Sequence, residues 1–402
     1  MDAQRRSPAR SSRVMKAAVL FDLLGPYHWA RLNAAGAGGE LHVLELFGRN
    51  VEYPWAPVAG ARTFEHHHLF AAGSRQSVPV AQARREIEQV LERVAPGVVF
   101  LPGWSDYWAL TALAWCLRRR VPAVVMSEST ARDEVRRGWK EAIKGRIVRL
   151  CAAGLVGGQP HRRYLHALGM PEERIFTGYD VVDNAHFECR AGEVQAPVPE
   201  RYFLASSRFV PKKNILRLLE AYASYQKRAG VQAWKLVLLG GGVLAPRIAE
   251  RCAQLGICEH VSTPGFRQYD DLPGYYAGAK VFVHASSSEQ WGLVVNEAMA
   301  AGLPVLISER CGCVEDLVEE GRNGHRFDPE DVPALARLLW AMTEPSTDLA
   351  AMGRESRRII ADWSPQTFQR SFWRAAECAR AIQARNASLW DRGLLRVLMS
   401  RQ

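Results

Sequence analysis

Short apolar runs of strand length alternate with helical patterns along most of the chain. In the first half, AAVLFDLL at Ala17–Leu24 runs into the turn Gly25-Pro26. It is followed by LHVLELF at Leu41–Phe47, GVVFLPG at Gly97–Gly103, VPAVVMS at Val121–Ser127 and AAGLVGG at Ala152–Gly158. Between them, Val80–Ala95 has the spacing of an amphipathic helix. The stretch Ala191–Glu200, rich in Pro and small residues, breaks the rhythm and reads as a linker. The alternation then restarts with strand Tyr202–Ser207, helix Ile215–Arg228, strand Lys235–Gly242, helix Ala245–Leu255 and strand Val261–Gly265. Helix Asp271–Gly278, strand Lys280–Ser286, helix Leu293–Ala301 and strand Pro304–Glu309 continue it, and the tail Pro365–Gln402 reads as helical.

Apolar strands without inside–outside alternation, separated by helices, predict parallel sheets covered on both faces. The expected fold class is therefore α/β: two Rossmann-like, doubly wound domains facing across a cleft, with ligands beyond the carboxyl ends of the strands. The expected division is 1–14 as a tail, 15–195 and 196–375 as the two domains, and 376–402 as terminal helices.

Composition changes this picture little. With 402 residues, 48% of them hydrophobic, the chain can fill two cores. Its 52 Lys and Arg against 42 Asp and Glu, a net charge of +10, suit anionic partners without choosing among phosphates, acidic substrates, nucleic acid and an anionic bilayer face. The apolar run Ala109–Leu117 is too short to span a membrane. Residues 1–14, with Arg5, Arg6, Arg10 and Arg13, lack the apolar stretch of a signal peptide and read as a disordered basic tail. Eight scattered cysteines without a CxxC pair predict reduced structural thiols in a cytoplasmic protein, and Cys311-Gly-Cys313 alone makes no metal site.

Candidate chemistry concentrates in the second half. In SSSEQWGLVVNEAMAAG at Ser286–Gly302, Glu289 and Glu297 have seven residues between them, Gly292 among these. Glu289 falls in a loop at the carboxyl edge of the sheet, and Gly292 lets a ligand approach the backbone. The helix start at Trp291, Gly292, Leu293 and Val294 turns free N–H groups towards the cleft, a natural seat for phosphate. Glu297, about one turn in, reaches hydroxyls of the same ligand. Taken alone, this spacing also fits an ordinary helix start with Glu297 on a solvated face. In SRFVPKKN at Ser207–Asn214, Arg208 and Lys213 offer a guanidinium and an ammonium suited to a diphosphate, whereas Lys212 reads as solvated. Gly240 in LLGGG permits backbone contact with a nucleotide, but the run does not complete GxGxxG, so NAD is a poor reading. Gly265 and Phe266, after the next strand, are placed to meet the base.

The first half carries fewer signals. Gly25 admits a phosphate or simply makes a turn. Trp104 and Asp106, after the Gly97–Gly103 strand, combine an aromatic ring and a carboxylate able to hold a sugar or another acceptor. The triplet His66-His67-His68 reads as a loop: adjacent histidines do not all face one ion, no partner carboxylate motif accompanies them, and no metal is expected. Residues 132–149 read as a basic helix with apolar Val135, Trp139, Ile143, Ile147 and Val148. That helix is either a solvated face over a core stripe or a contact for anionic lipid head groups. No recognisable module supports nucleic-acid binding.

Together these segments resemble the family 4 retaining glycosyltransferases of the GT-B fold. The match is specific from about Tyr202 to Ala341, through SRFVPKKN, LLGGG, GFRQYDDLPGYYAGAKVFVHAS, SSSEQWGLVVNEAMAAGLPVLIS and CGCVEDLVEEGRNGHRFDPED. The resemblance implies a nucleotide-sugar donor and a hydroxyl acceptor, no cofactor, and UDP favoured over GDP. Arg208 and Lys213 would neutralise the diphosphate, Gly25 would add a backbone contact, Glu289 would orient the donor sugar and Glu297 would hold the ribose. With no D-x-D in the chain, the two cations would replace a divalent metal. Glu128 stands about where many members carry a histidine, and it would position acceptor or donor sugar or merely cap a helix. The terminal helices would cross back to the first domain, and the protein would be cytoplasmic or peripheral at the inner membrane face. Other readings are a nucleotide-sugar epimerase, a phosphorylase, or a non-catalytic binding subunit keeping the fold.

Overall fold

A computed structural model describes residues 15–48, 60–188, 197–382 and 387–400. The basic tail and most of the expected linker lie outside the described residues. Two all-parallel sheets form. The first contains β1 (Lys16–Phe21), β2 (Glu40–Phe47), β3 (Glu65–Phe70), β4 (Val98–Pro102), β5 (Ala123–Ser127), β6 (Ala153–Val156) and β7 (Ile175–Thr177), in the order β3-β2-β1-β4-β5-β6-β7. The second contains β8 (Tyr202–Ser206), β9 (Lys235–Leu239), β10 (Val261–Gly265), β11 (Val281–His284), β12 (Val305–Ser308) and β13 (Gly324–Phe327), in the order β10-β9-β8-β11-β12-β13.

The unbroken apolar strands follow from burial on both faces. Along β1, Ala18 and Leu20 enter one core while Ala17, Val19 and Phe21 enter another. Along β8, Tyr202 and Leu204 divide from Phe203 and Ala205 in the same way. In each sheet the order reverses beside the first strand, between β1 and β4 and between β8 and β11. The loops leaving these strands therefore diverge and open a crevice.

The C-terminal segment returns to the first domain. Helix Pro365–Ala381 lays Phe368, Phe372, Ala375 and Ala379 into the core containing Ala17 and Phe100, with the Phe372 and Phe100 rings stacked 3.7 Å apart. The crossing thus begins at Pro365, earlier than the expected 376. Helix Leu389–Ser400 adds Leu395 and Met399 to the core on the other face of the sheet.

Two expectations are corrected here. The three histidines are not in a loop but in β3, an edge strand paired in parallel with β2. EHHHLF has no β-branched residue and lies at the sheet edge, so it gives little strand signal. The basic segment is a helix only from Gly138 to Val148. Ile147 and Val148 are core residues, but Val135 is 88% and Trp139 59% exposed, so the expected core stripe does not extend that far. All seven cysteines among the described residues are free, and no described helix is long and apolar enough to cross a membrane.

Candidate active site

The two motif loops of the second domain are stitched together by backbone. Gly240 and Gly242, both at positive φ, let the turn after β9 lie against residues 207–209. A Cβ on Gly240 would fall 1.9 Å from the Ser207 carbonyl oxygen, and one on Gly242 2.8 Å from that of Phe209. The expected role of Gly240 in nucleotide contact is thus accompanied by a packing requirement that shapes the half-buried Arg208 turn. Asn214, left-handed at φ 57, donates from its buried side-chain amide to the carbonyls of Ala285 and Pro329. Ser287 N–H donates to the Lys212 carbonyl.

These ties bring Lys213 Nζ into a salt bridge with Glu289 Oε2. His284 Nε2 and Ser286 Oγ each donate to the same carboxylate at 3.3 Å. Burial alone would raise the Glu289 pKa. The His284 hydrogen bond and the Lys213 ammonium outweigh it and hold the carboxyl well below the usual range, so this is a charged, oriented carboxylate.

The Glu289 loop is pinned against the next strand. Glu289 bridges to Cys311, and a Cβ on Gly312 would sit 1.6 Å from the Gln290 carbonyl oxygen. Gly292, at φ +106, turns the chain into helix Leu293–Ala300, with Leu293 and Val294 partly buried. The Trp291 side chain points inward: its indole N–H donates to Asn296 Oδ1 at 2.8 Å, and the ring packs on Trp363.

Glu297 is fully buried and is not open to a ligand in this structure. Tyr276 and, from the first domain, Tyr27 both donate hydroxyl protons to it. Burial raises its pKa to about 7 against the lowering effect of those two bonds.

Further links cross between the domains. Buried His161 accepts from Gly158 N–H on Nδ1, and Nε2 donates to the Gln290 carbonyl at 2.9 Å, beside Glu289. Asp316 accepts from Gln159 N–H at the start of helix Gln159–Ala167. Asn296 donates to the Asp180 carbonyl. A cleft of about 300 Å³ opens between the domains, lined by residues including Thr130, Arg132, Arg163, Arg310 and Glu315.

The first-domain candidates separate. Gly25 begins the helix Pro26–Gly36 in extended conformation, and its N–H already donates to His28 Nδ1 at 3.1 Å. The expected sugar platform at Trp104 and Asp106 is corrected by packing. Trp104 is a core residue against Tyr164, and Asp106 pairs with Arg75 at 2.8 Å. Gly265 takes φ +88 at the end of β10, its carbonyl accepts from Gly240 N–H, and Phe266 follows it with its ring 40% exposed.

Glu128 caps no helix here. It stands near Arg31, Asp180 and Glu289; burial raises its pKa, and Arg31 opposes the rise. Asp180 is fully buried, with the Glu128 carboxyl in hydrogen-bond reach and Arg31 Nη1 3.9 Å away. Burial first, and the Glu128 charge second, push its pKa well up. The sequence reading missed Asp180, Arg31, Tyr27, Tyr276 and His284. Tyr276 and His284 both lie within GFRQYDDLPGYYAGAKVFVHAS, His284 in the strand five residues before Glu289.

Residues 191–358 match the family described as glycosyl transferases group 1. The sulfoquinovosyl transferase SQD2 of Arabidopsis thaliana is 35% identical over 129 residues, which are 31% of this chain and 24% of that protein. The lipopolysaccharide core biosynthesis glycosyltransferase LpsE of Rhizobium meliloti is 30% identical over 179 residues, 42% of this chain and 50% of its own length. The chain thus spans between a quarter and a half of these curated relatives. Among solved structures, Anabaena HepE in complex with UDP superposes with a TM-score of 0.70 at 16% identity, covering 90% of this chain and all of that one, a likeness of fold. Residues 191–358 thus carry a likeness to the glycosyl transferases group 1, set in a GT-B frame of two Rossmann-like domains.

Proposed function

We propose that the protein is a retaining glycosyltransferase that takes a sugar from a nucleoside-diphosphate donor held between its two domains. The observation that carries this reading is the Lys213–Glu289 pair at the carboxyl ends of β8 and β11, set before the amide end of helix Leu293–Ala300. Departure of a nucleoside diphosphate builds negative charge. Arg208, Lys213 and the N–H groups at Gly292, Leu293 and Val294 would stabilise it as it develops, without a divalent ion. Glu289, kept ionised by His284 and Lys213, would accept hydrogen bonds from donor-sugar hydroxyls.

In the retaining route the acceptor hydroxyl enters on the leaving-group face and gives its proton to the departing phosphate. No strong protein base is then needed. On the opposite wall, Glu128 and Asp180 would orient the reacting sugars. Burial beside Glu128 favours the protonated form of Asp180, which can donate as well as accept. Glu297 would grip the ribose once Tyr27 leaves it, and Gly265-Phe266 would flank the base.

A UDP-linked donor is the first to try. The experiment is a panel of nucleotide sugars scored by thermal stabilisation and by slow donor hydrolysis, with and without acceptor alcohols. One donor should stabilise the protein and be hydrolysed. Interconversion of the donor sugar without hydrolysis or transfer would favour an epimerase, and dependence on free phosphate a phosphorylase. No response to any donor would leave a binding subunit.

The acceptor is proposed to reach the enzyme at an anionic membrane face. Helix Gly138–Val148 and helix Leu389–Ser400 are joined by Arg146–Asp391 at 2.7 Å. They carry exposed Trp139, Leu389 and Trp390, with Val135 just before them and exposed Arg132, Arg137, Lys140, Arg392 and Arg396 around. Indole rings amid cations suit the boundary between head groups and acyl chains.

A further inference from the structure

The edge of the first sheet gathers a set of side chains that the proposed transfer does not use. The strand period places His66 and His68 on one face of β3 and His67 on the other. In the parallel register of β2, Val43 lies opposite His66 and Glu45 opposite His68. Glu45 is therefore on the same face as the two imidazoles, although 20 or more residues separate it from them in sequence. His66 Nε2 stands 2.8 Å from Glu45 Oε2 and His68 Nδ1 3.9 Å from the same oxygen, and one ligand atom from each residue falls within 4.8 Å of the others. The carboxylate is nearly buried, at 7% side-chain exposure, while the His68 ring is 30% exposed, so the cluster has a fixed floor and an open side.

We propose that Glu45, His66 and His68 form a binding site for a divalent transition metal ion of the zinc class. Two imidazoles and one carboxylate are borderline donors that suit zinc, cobalt or nickel and disfavour magnesium and calcium, which want oxygen alone. The geometry needs only small shifts. Metal-bound donors of a tetrahedral site lie roughly 3.3 Å apart for bonds of ~2 Å, between the two spacings seen here. The fourth position would be water on the exposed side.

One contact must change. Arg62 Nη1 lies 3.0 Å from His66 Nδ1, and coordination through Nε2 leaves the ring proton on Nδ1. Arg62 would then swing away, which its exposed position allows.

The cluster is also wired to the cleft. The other Glu45 oxygen accepts from Leu24 N–H at 2.7 Å, one residue before Gly25 and three before Tyr27. A bound ion would thus fix the turn that feeds Tyr27 to Glu297, away from the diphosphate seat at Lys213. The inference does not depend on the proposed activity.

Its test is a titration of the full-length, chelator-stripped protein with Co(II), followed by visible absorption and by calorimetry. One equivalent should give the d–d spectrum of a low-coordinate N/O site without sulfur charge-transfer bands. Zinc should displace it, and His68→Ala and His66→Ala should each weaken it by at least about tenfold while circular dichroism stays unchanged. Cys258→Ser, at an exposed thiol, should leave the spectrum as it is. The proposal is overturned if no one-equivalent site appears, if the spectrum shows thiolate ligation, or if it survives in both folded histidine variants.

Discussion

Tyr27 of the first domain donates its hydroxyl proton to Glu297 of the second, across 270 positions of sequence. If Glu297 holds the donor ribose, as proposed, a first-domain phenol stands where a ribose hydroxyl would bond. Because Glu297 is fully buried, no open space is left beside the phenol for a ribose hydroxyl. On that proposal nucleotide entry would release Tyr27, with Tyr276 remaining as a second donor on the other oxygen.

This exchange gives the first prediction. Tyr27→Phe removes the competitor, so nucleotide affinity should rise about three- to tenfold, the worth of one net hydrogen bond. Calorimetry with the nucleoside diphosphate checks it. Weaker binding in the variant would show instead that Tyr27 helps to hold the nucleotide.

The same carboxyl predicts a pH dependence. Its folded pKa is raised to about 7 from an ordinary value of 4.5, so folding favours the protonated form. That contribution is complete below pH 4.5 and is lost as pH rises through 7, amounting to roughly 3 kcal/mol. Glu297→Gln should therefore gain stability relative to the parent between pH 5 and pH 8 in denaturant melts. A difference between the two proteins that stays constant over that range would contradict the assignment.

The architecture was legible because its strands are buried on both faces and read as continuous apolar runs. Strand β10 and helix Ala245–Leu255 fall at their expected limits. What escaped were edge elements such as β3, whose histidines carry little strand propensity, and β13 with its GHRF sequence. The Lys213–Glu289 pair could be anticipated from two motifs at strand ends. Asp180 could not, because its significance comes from burial beside Glu128 and Arg31, which are brought together only by the tertiary fold. Trp104 misled for a related reason: an aromatic after a strand reads alike whether it faces the cleft or, as here, the core.

Asp180 is accordingly open to test. Asp180→Asn keeps the volume and a donor but removes the titrating carboxyl. The rate should fall about 10- to 100-fold with acceptor present, the scale of a lost positioning group, while binding of the nucleoside diphosphate alone stays near the parental value. Equal loss of nucleotide binding would point to a structural role.

The exposed aromatic residues make a separable prediction. Trp139→Ala with Trp390→Ala should reduce co-sedimentation with anionic vesicles about tenfold or more, in line with burial of apolar area at the interface. High salt should weaken the binding of the parent, and vesicles of neutral lipid should bind poorly throughout. Undiminished sedimentation of the double variant would remove this surface from consideration.

The most direct measurement of the central claim is single-turnover breakdown of the accepted nucleotide sugar by the parent, Lys213→Ala and Glu289→Ala, each checked for an intact fold. If the ammonium neutralises the departing diphosphate and the carboxylate orients the sugar, both variants should be slowed about 100- to 1,000-fold. Parental rates in both folded variants would contradict the account.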